Sequence, residues 1–180
     1  SATLSNSGAM TLKGAVTLTG VLTTGNGSTI TLGTAFKDGG ATAITAADST
    51  DGINQTGGAV TVNVSNQFTT GTVVLLENTL ALDANDLAAF TVTDTALVDY
   101  TLASATGTAA LSQITITANK RTTAGIATYL GMSTAQSAAL GQISAAVASG
   151  DATASTALDT VLVAGGATAK NAVEQMNPDA

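Results

Sequence analysis

The chain has 180 residues, enough for one domain with a sizeable core or a domain plus an appendage, and too few for a multidomain enzyme. Twelve acids face five bases for a net charge of -7, and from Asp38 to Asn119 eight acids occur with no base, so phosphate backbones and anionic membrane surfaces are repelled. The absence of Cys and His excludes thiol nucleophiles, disulfides, the usual zinc sites and the commonest general base near neutral pH.

Hydrophobic residues make up 44% of the chain, yet the aromatics are only Phe36, Phe68, Phe90, Tyr100 and Tyr129. A globular core leans on aromatic area. Thin layers of Val, Ile, Leu and Ala do not, which points to a repetitive stack in which each layer touches its neighbours. Thr, Ser, Asn and Gly keep the surface water-compatible, a composition of secreted surface material. No apolar run reaches the roughly 20 residues of a membrane-spanning helix. The start, SATLSNSGAM, lacks a basic segment followed by an apolar one, so any export signal or anchor is expected outside this stretch.

From Met10 to Thr34 a Thr-Leu-Thr-Gly theme recurs, with apolar residues at Met10 and Leu12, Val16 and Leu18, and Ile30 and Leu32. A period of two predicts short strands with one buried face. Gly25-Asn26-Gly27-Ser28 predicts a tight corner at positive φ. Gly39 to Gly58 reads as a broad loop with a weak strand over Ala43 to Thr45. Alternation returns at Val60, Val62 and Val64. The run Val73-Val74-Leu75-Leu76 predicts a strand covered on both faces. Ala81 to Ala89 fits one helical turn or a loop. Further strands are predicted around Phe90 and Val92, around Val98, Tyr100 and Leu102, and around Ile114 and Ile116.

At Lys120 and Arg121 the period changes from two to three and four. A helical piece is predicted over Thr123 to Leu130. Ser133 to Gln136 fits a capping box and opens the stripe Leu140, Ile143 and Val147. Gly150 ends it, Asp151 caps the next helix, and Ala154, Leu158, Val161 and Leu162 form a second stripe before Gly165-Gly166. A third helix fits Thr168 to Met176, with Ala169, Val173 and Met176 on one face and Pro178 beyond. Helices this short are marginal alone, so they are expected to pack, as a cap, on the last strand layer.

Two groups of residues carry a family resemblance. Thr70 to Leu76, Phe90 to Thr93, Tyr100 to Leu102 and Leu111 to Thr117 look like the strand-rich final turns of type V autotransporter passengers, the region called autochaperone. Ala157-Leu158-Asp159 and Ala172 to Asp179 are similar to the Ala-Leu-Asp and Ala-Leu-Asp-Gln-Leu-Ser-Pro-Glu connector phrases that precede the family's barrel. Val173 and Met176 stand where Leu is usual, Glu174 replaces Asp and Asn177 replaces Ser. Residues 1 to about 60 match by composition alone. The resemblance implies a right-handed parallel β-helix whose distal layers fold early at the cell surface, a chain lying on the passenger side of a barrel that is not part of it, and a location on the Gram-negative outer surface.

The chemistry-bearing residues are sparse. Asp48 with Asp51, Asp83 with Asp86, and Asp94 with Asp99 are the paired carboxylates; the first two pairs are candidate calcium ligands weighed against solvated turn acids. Lys13, Lys37, Lys120 and Lys170 form no Ser-x-x-Lys arrangement, so no serine has a base. The acids lack the aromatic cleft of a glycosidase. Lys120-Arg121 is either a docking point for acidic surface or a solubilising helix start. Asn26, Asn54 and Asn63 stand in glycosylation triplets, which matter only in a eukaryotic secretory route.

The expectation is an all-β chain with C-terminal helices, a right-handed parallel β-helix over 1–121 and a helical connector or cap over 122–180. The core is assigned to Val74, Leu76, Phe90, Val92, Tyr100, Leu102, Ile114 and Ile116, and the connector to Leu158, Val161, Val173, Met176 and Pro178. No catalytic residue, metal or cofactor is assigned. The expected partners are the chain's own outer-membrane barrel and host-cell or surface ligands reached through an upstream passenger; nucleic acid is not a partner. The expected state is a monomer, and the alternative is a self-assembling extracellular fibre or S-layer-like subunit.

Overall fold

The structure is a computed structural model that describes the chain except residues 1–3, 20–21, 26, 38, 47–52, 57–59, 65–67, 79–81, 83, 108–111, 165 and 176–180. The chain divides into two compact units, Ser1–Thr93 with Tyr100–Asn119, and Asp94–Asp99 with Lys120–Ala180.

The first unit is built from short strands. In chain order they are β1 (Leu4–Asn6), β2 (Ala9–Leu12), β3 (Val16–Leu18), β4 (Leu22–Gly25), β5 (Thr29–Leu32), β6 (Thr42–Ala46), β7 (Ile53–Thr56), β8 (Val60–Asn63), β9 (Gly71–Asn78) and β10 (Phe90–Val92), followed by β11 (Val98–Thr106) and β12 (Ser112–Lys120). One short helix, α1 (Ala84–Ala88), precedes β10. The strands form three sheets in the orders β1-β4-β7, β10-β8-β5-β2 and β11-β12-β9-β6-β3. Through β9 each strand bonds in parallel to one three places away in sequence, and β10 adds in parallel to β8.

Register turns the alternating sequence into columns. Met10, Ile30, Val62 and Val92 are successive partners, as are Val60 and Phe90, and so are Val16, Ile44 and Leu76. The inward members Leu12, Ile30, Leu32, Ile44, Val60, Val62 and Phe90 are buried. A glycine serves the corner before β5: Gly27 has φ +70°, a conformation Cβ disfavours, and the Ser28 amide donates to the Gly25 carbonyl at 3.2 Å.

The expected all-β class, a right-handed parallel β-helix, is corrected by this structure. The protein is mixed α/β, with parallel and mixed sheets and about 35% helix among the described residues. The sheet becomes mixed because β12 enters antiparallel to β9, and the Ala-rich sequence after Arg121 contributes four further helices. The broad loop expected over Gly39 to Gly58 contains two strands, β6 and β7; in the second, Asn54, Gln55 and Thr56 follow Ile53 in an unbroken polar run that shows no apolar alternation.

The core assignment needs one correction of phase. Val73, Leu75, Leu76, Ile114 and Ile116 are buried, whereas Val74 is half-buried. The β9–β12 register passes from Leu76 opposite Ile114 to Val74 opposite Thr115, so Leu75 is the extra residue of a bulge. A bulge reverses which face the next side chains take, which places Leu75 and Leu76 inside together. Val92 and Leu102 are half-buried as well, whereas Phe90 and Tyr100 on the same edge strands, β10 and β11, are buried. Tyr100 is buried, its hydroxyl donates to the Phe68 carbonyl at 2.9 Å, and the two rings stack at 5.9 Å.

The second unit holds α2 (Thr123–Leu130), α3 (Thr134–Ala148), α4 (Ala152–Ala164) and α5 (Gly166–Gln175). The Ser133 hydroxyl accepts from the Gln136 amide while Gln136 Oε1 accepts from the Ser133 amide, the predicted capping box. Gln136 Nε2 also donates to Glu174 at 3.0 Å, tying the start of α3 to α5. Asp151 accepts from the Thr153 amide at 3.0 Å. Gly131 ends α2 at φ +59°, the left-handed cap for which glycine is suited. Leu140, Leu158, Leu162, Ala169 and Val173 are buried.

Leu76→Ala and Ile116→Ala are each expected to destabilise the first unit by about 2–5 kcal/mol in denaturant unfolding, with Val74→Ala costing clearly less. Equal losses for Val74 and Leu76 would contradict the bulge.

Candidate functional site

The densest polar constellation among the described residues centres on Arg121 in the second unit. Thr122 caps α2 with extended backbone, its hydroxyl accepting from Gly125 at 3.1 Å. That geometry leaves Arg121 one residue outside the helix, beside its positive end. A cation there opposes the helix macrodipole, and α2 has no acid in its first turn. The compensation comes from the segment Asp94–Asp99.

Arg121 donates through one terminal nitrogen to Asp94 at 2.7 Å, through Nε to the Thr95 carbonyl at 3.3 Å, and lies 3.6 Å from Asp99. Its backbone amide donates to the Leu97 carbonyl at 2.8 Å. The guanidinium carbon sits 4.6 Å from the centre of the Tyr129 ring, and the Tyr129 hydroxyl donates to the Asp94 carbonyl at 3.1 Å. The segment is itself folded, with the Val98 amide donating to the Thr95 hydroxyl at 3.1 Å and the Thr95 amide to the Val98 carbonyl at 3.0 Å. Ala96 and Leu97 are buried.

The guanidinium side chain is 17% exposed, against 31% for Asp94 and 52% for Asp99. This gradient describes a clamp: a planar, forked cation holds two acids and a carbonyl from one short segment and rests on an aromatic face. Two carboxylates committed to one cation are not an acid–base pair for hydrolysis. Of the basic dipeptide, Arg121 therefore takes acids of its own unit, and Lys120 is exposed at the end of β12.

Asp48, Asp51 and Asp83 lie outside the described residues, and Asp86 lies in α1. Among the described residues no group of three or more acids, His or Cys gathers to hold a metal. Leu158 and Val173 are buried; the side chain of Val161, and Met176 and Pro178 altogether, are outside the described residues. No described helix is long and apolar enough to cross a membrane. Tyr129 escaped the sequence reading, although it is one of only two Tyr in the chain and stands two helical turns after Arg121.

The chain matches no protein-family model, no curated protein and no solved structure.

Arg121→Ala is expected to speed amide hydrogen exchange across residues 94–99 and to cost about 1–3 kcal/mol. Arg121→Lys should recover only part, since an ammonium cannot make the forked contacts, and raised salt should narrow the gap between wild type and Arg121→Ala. Unchanged exchange in Arg121→Ala would refute the clamp.

Proposed function

We propose that the chain is a non-enzymatic structural segment of a bacterial surface-exposed autotransporter passenger, one that promotes folding and secretion of the passenger and links it to an outer-membrane barrel. The observation that carries this reading is the in-register column of aliphatic side chains, Met10 to Ile30 to Val62 to Val92 and Val16 to Ile44 to Leu76. Each added strand buries its apolar face against those already in place, at about 25 cal/mol per Å². A chain emerging from a pore would be drawn outward by such sequential burial and opposed from sliding back. The connector phrases at Ala157 to Asp159 and Ala172 to Asp179 support the same reading by their resemblance.

A second reading is favoured by one observation. β1, β2 and β3 are each the terminal strand of their sheets, and parallel edges of this kind can template another chain. A self-assembling extracellular fibre or S-layer-like subunit would use them between copies.

In the full-length surface protein, Leu76→Asp or Ile116→Asp is expected to abolish display, measured by antibody labelling of intact cells. Normal display of both would end the folding-driven reading. Sedimentation of the purified chain separates the two readings: a monomer across the accessible concentration range is expected from the first, and concentration-dependent polymers from the second.

A further inference from the structure

The outward positions of the four-stranded sheet carry a pattern that the proposed passenger role does not use. Partner residues Thr29, Thr61 and Thr91 form one rank across β5, β8 and β10. Thr11, Thr31 and Asn63 form a second rank across β2, β5 and β8. Between the ranks the inward residues Ile30 and Val62 are buried, so the Thr side chains stand on the opposite face. Thr29, Thr31 and Thr61 are half-buried, and Thr11, Asn63 and Thr91 are exposed.

The pairing runs through all four strands in parallel with no register shift. Side chains on such a face repeat at roughly 4.8 Å between strands and about 6.6 Å along each strand. Thr is stiff at χ1, so each threonine of the lattice presents a fixed methyl group and a hydroxyl; the Thr91 hydroxyl donates to the Val60 carbonyl at 3.5 Å and keeps its lone pairs for an outside donor, while Asn63 closes the second rank with an amide. The face is also uncharged: Ala9 completes the first rank, and no acid or base stands in either. The outward column of the five-stranded sheet, by contrast, runs from Thr17 and Thr45 into Glu77.

We propose that this face binds the surface of ice. In a neutral lattice of hydroxyls and methyls, the repeat between strands lies near the shorter oxygen spacing on faces of hexagonal ice. The hydroxyls can anchor lattice waters while the methyls exclude competing orientations. A charged ligand finds no counter-charge in the two ranks. A stacked sugar ring finds no aromatic there.

Partition of the purified full chain into a slowly growing ice hemisphere, together with inhibition of ice recrystallisation, tests this. The wild type is expected to enter the ice and hold crystals small. Thr61→Tyr and Thr91→Lys, both outward, are expected to lose partition to the level of a non-binding control protein while circular dichroism and thermal melting stay unchanged. Thr45→Lys, on the other sheet, should retain full partition. Exclusion of the wild type from ice overturns the proposal, as does wild-type partition by a folded Thr61→Tyr or Thr91→Lys. Retention on insoluble cellulose or chitin without entry into ice overturns it in favour of a polysaccharide surface.

Discussion

Backbone pairing between strands three places apart is the constraint on which the first unit rests. Strands of three to five residues, such as β3 and β4, cannot stand alone, and each must give its amides and carbonyls to a partner. Parallel pairing forces that partner to be distant in sequence. Once the ladders close, the alternation of Thr with aliphatic residues sorts itself in the four-stranded sheet, aliphatics inward in columns and threonines outward in ranks, while Thr24 and Thr115 are inward exceptions elsewhere. The columns supply burial without aromatic bulk, which is why a chain with five aromatics can still form a mainly aliphatic interior. Two of those five, Phe68 and Tyr100, are spent on each other.

The antiparallel entry of β12 changes the character of the last sheet. The bulge at Leu75 lets two adjacent leucines, Leu75 and Leu76, both turn inside, so one strand packs more apolar volume than strict alternation allows. The ladder that begins as a run of parallel additions therefore finishes on a different pairing rule.

In the second unit, electrostatics handle a local conflict. Arg121 stands at the positive end of α2, where it would weaken the helix, and Asp94 and Asp99 remove the conflict. Tyr129 then joins the helix to the same segment through its ring and its hydroxyl. Thus six residues from the strand-rich half of the sequence belong to the helical unit, although nothing in their composition separates them from their neighbours. The capping-box residue Gln136 shows a similar economy, closing its own helix with one atom and reaching Glu174 with another.

Local physics was legible in the sequence. Period-two alternation marked β2, β3, β5 and β8, period three to four marked α2 to α5, and Ser133 with Gln136 announced a cap, because each depends only on residues a few positions apart. Tertiary structure alone decided the strand partners, since the intervals between Met10, Ile30, Val62 and Val92 are unequal and leave no fixed repeat to detect. It also decided the bulge that exchanges Val74 for Leu75, the antiparallel β12 that makes the fold mixed, and the acids that meet Arg121. Each of these is set by a neighbour far along the chain, and closeness in space across such distances leaves no periodic trace in the order of residues.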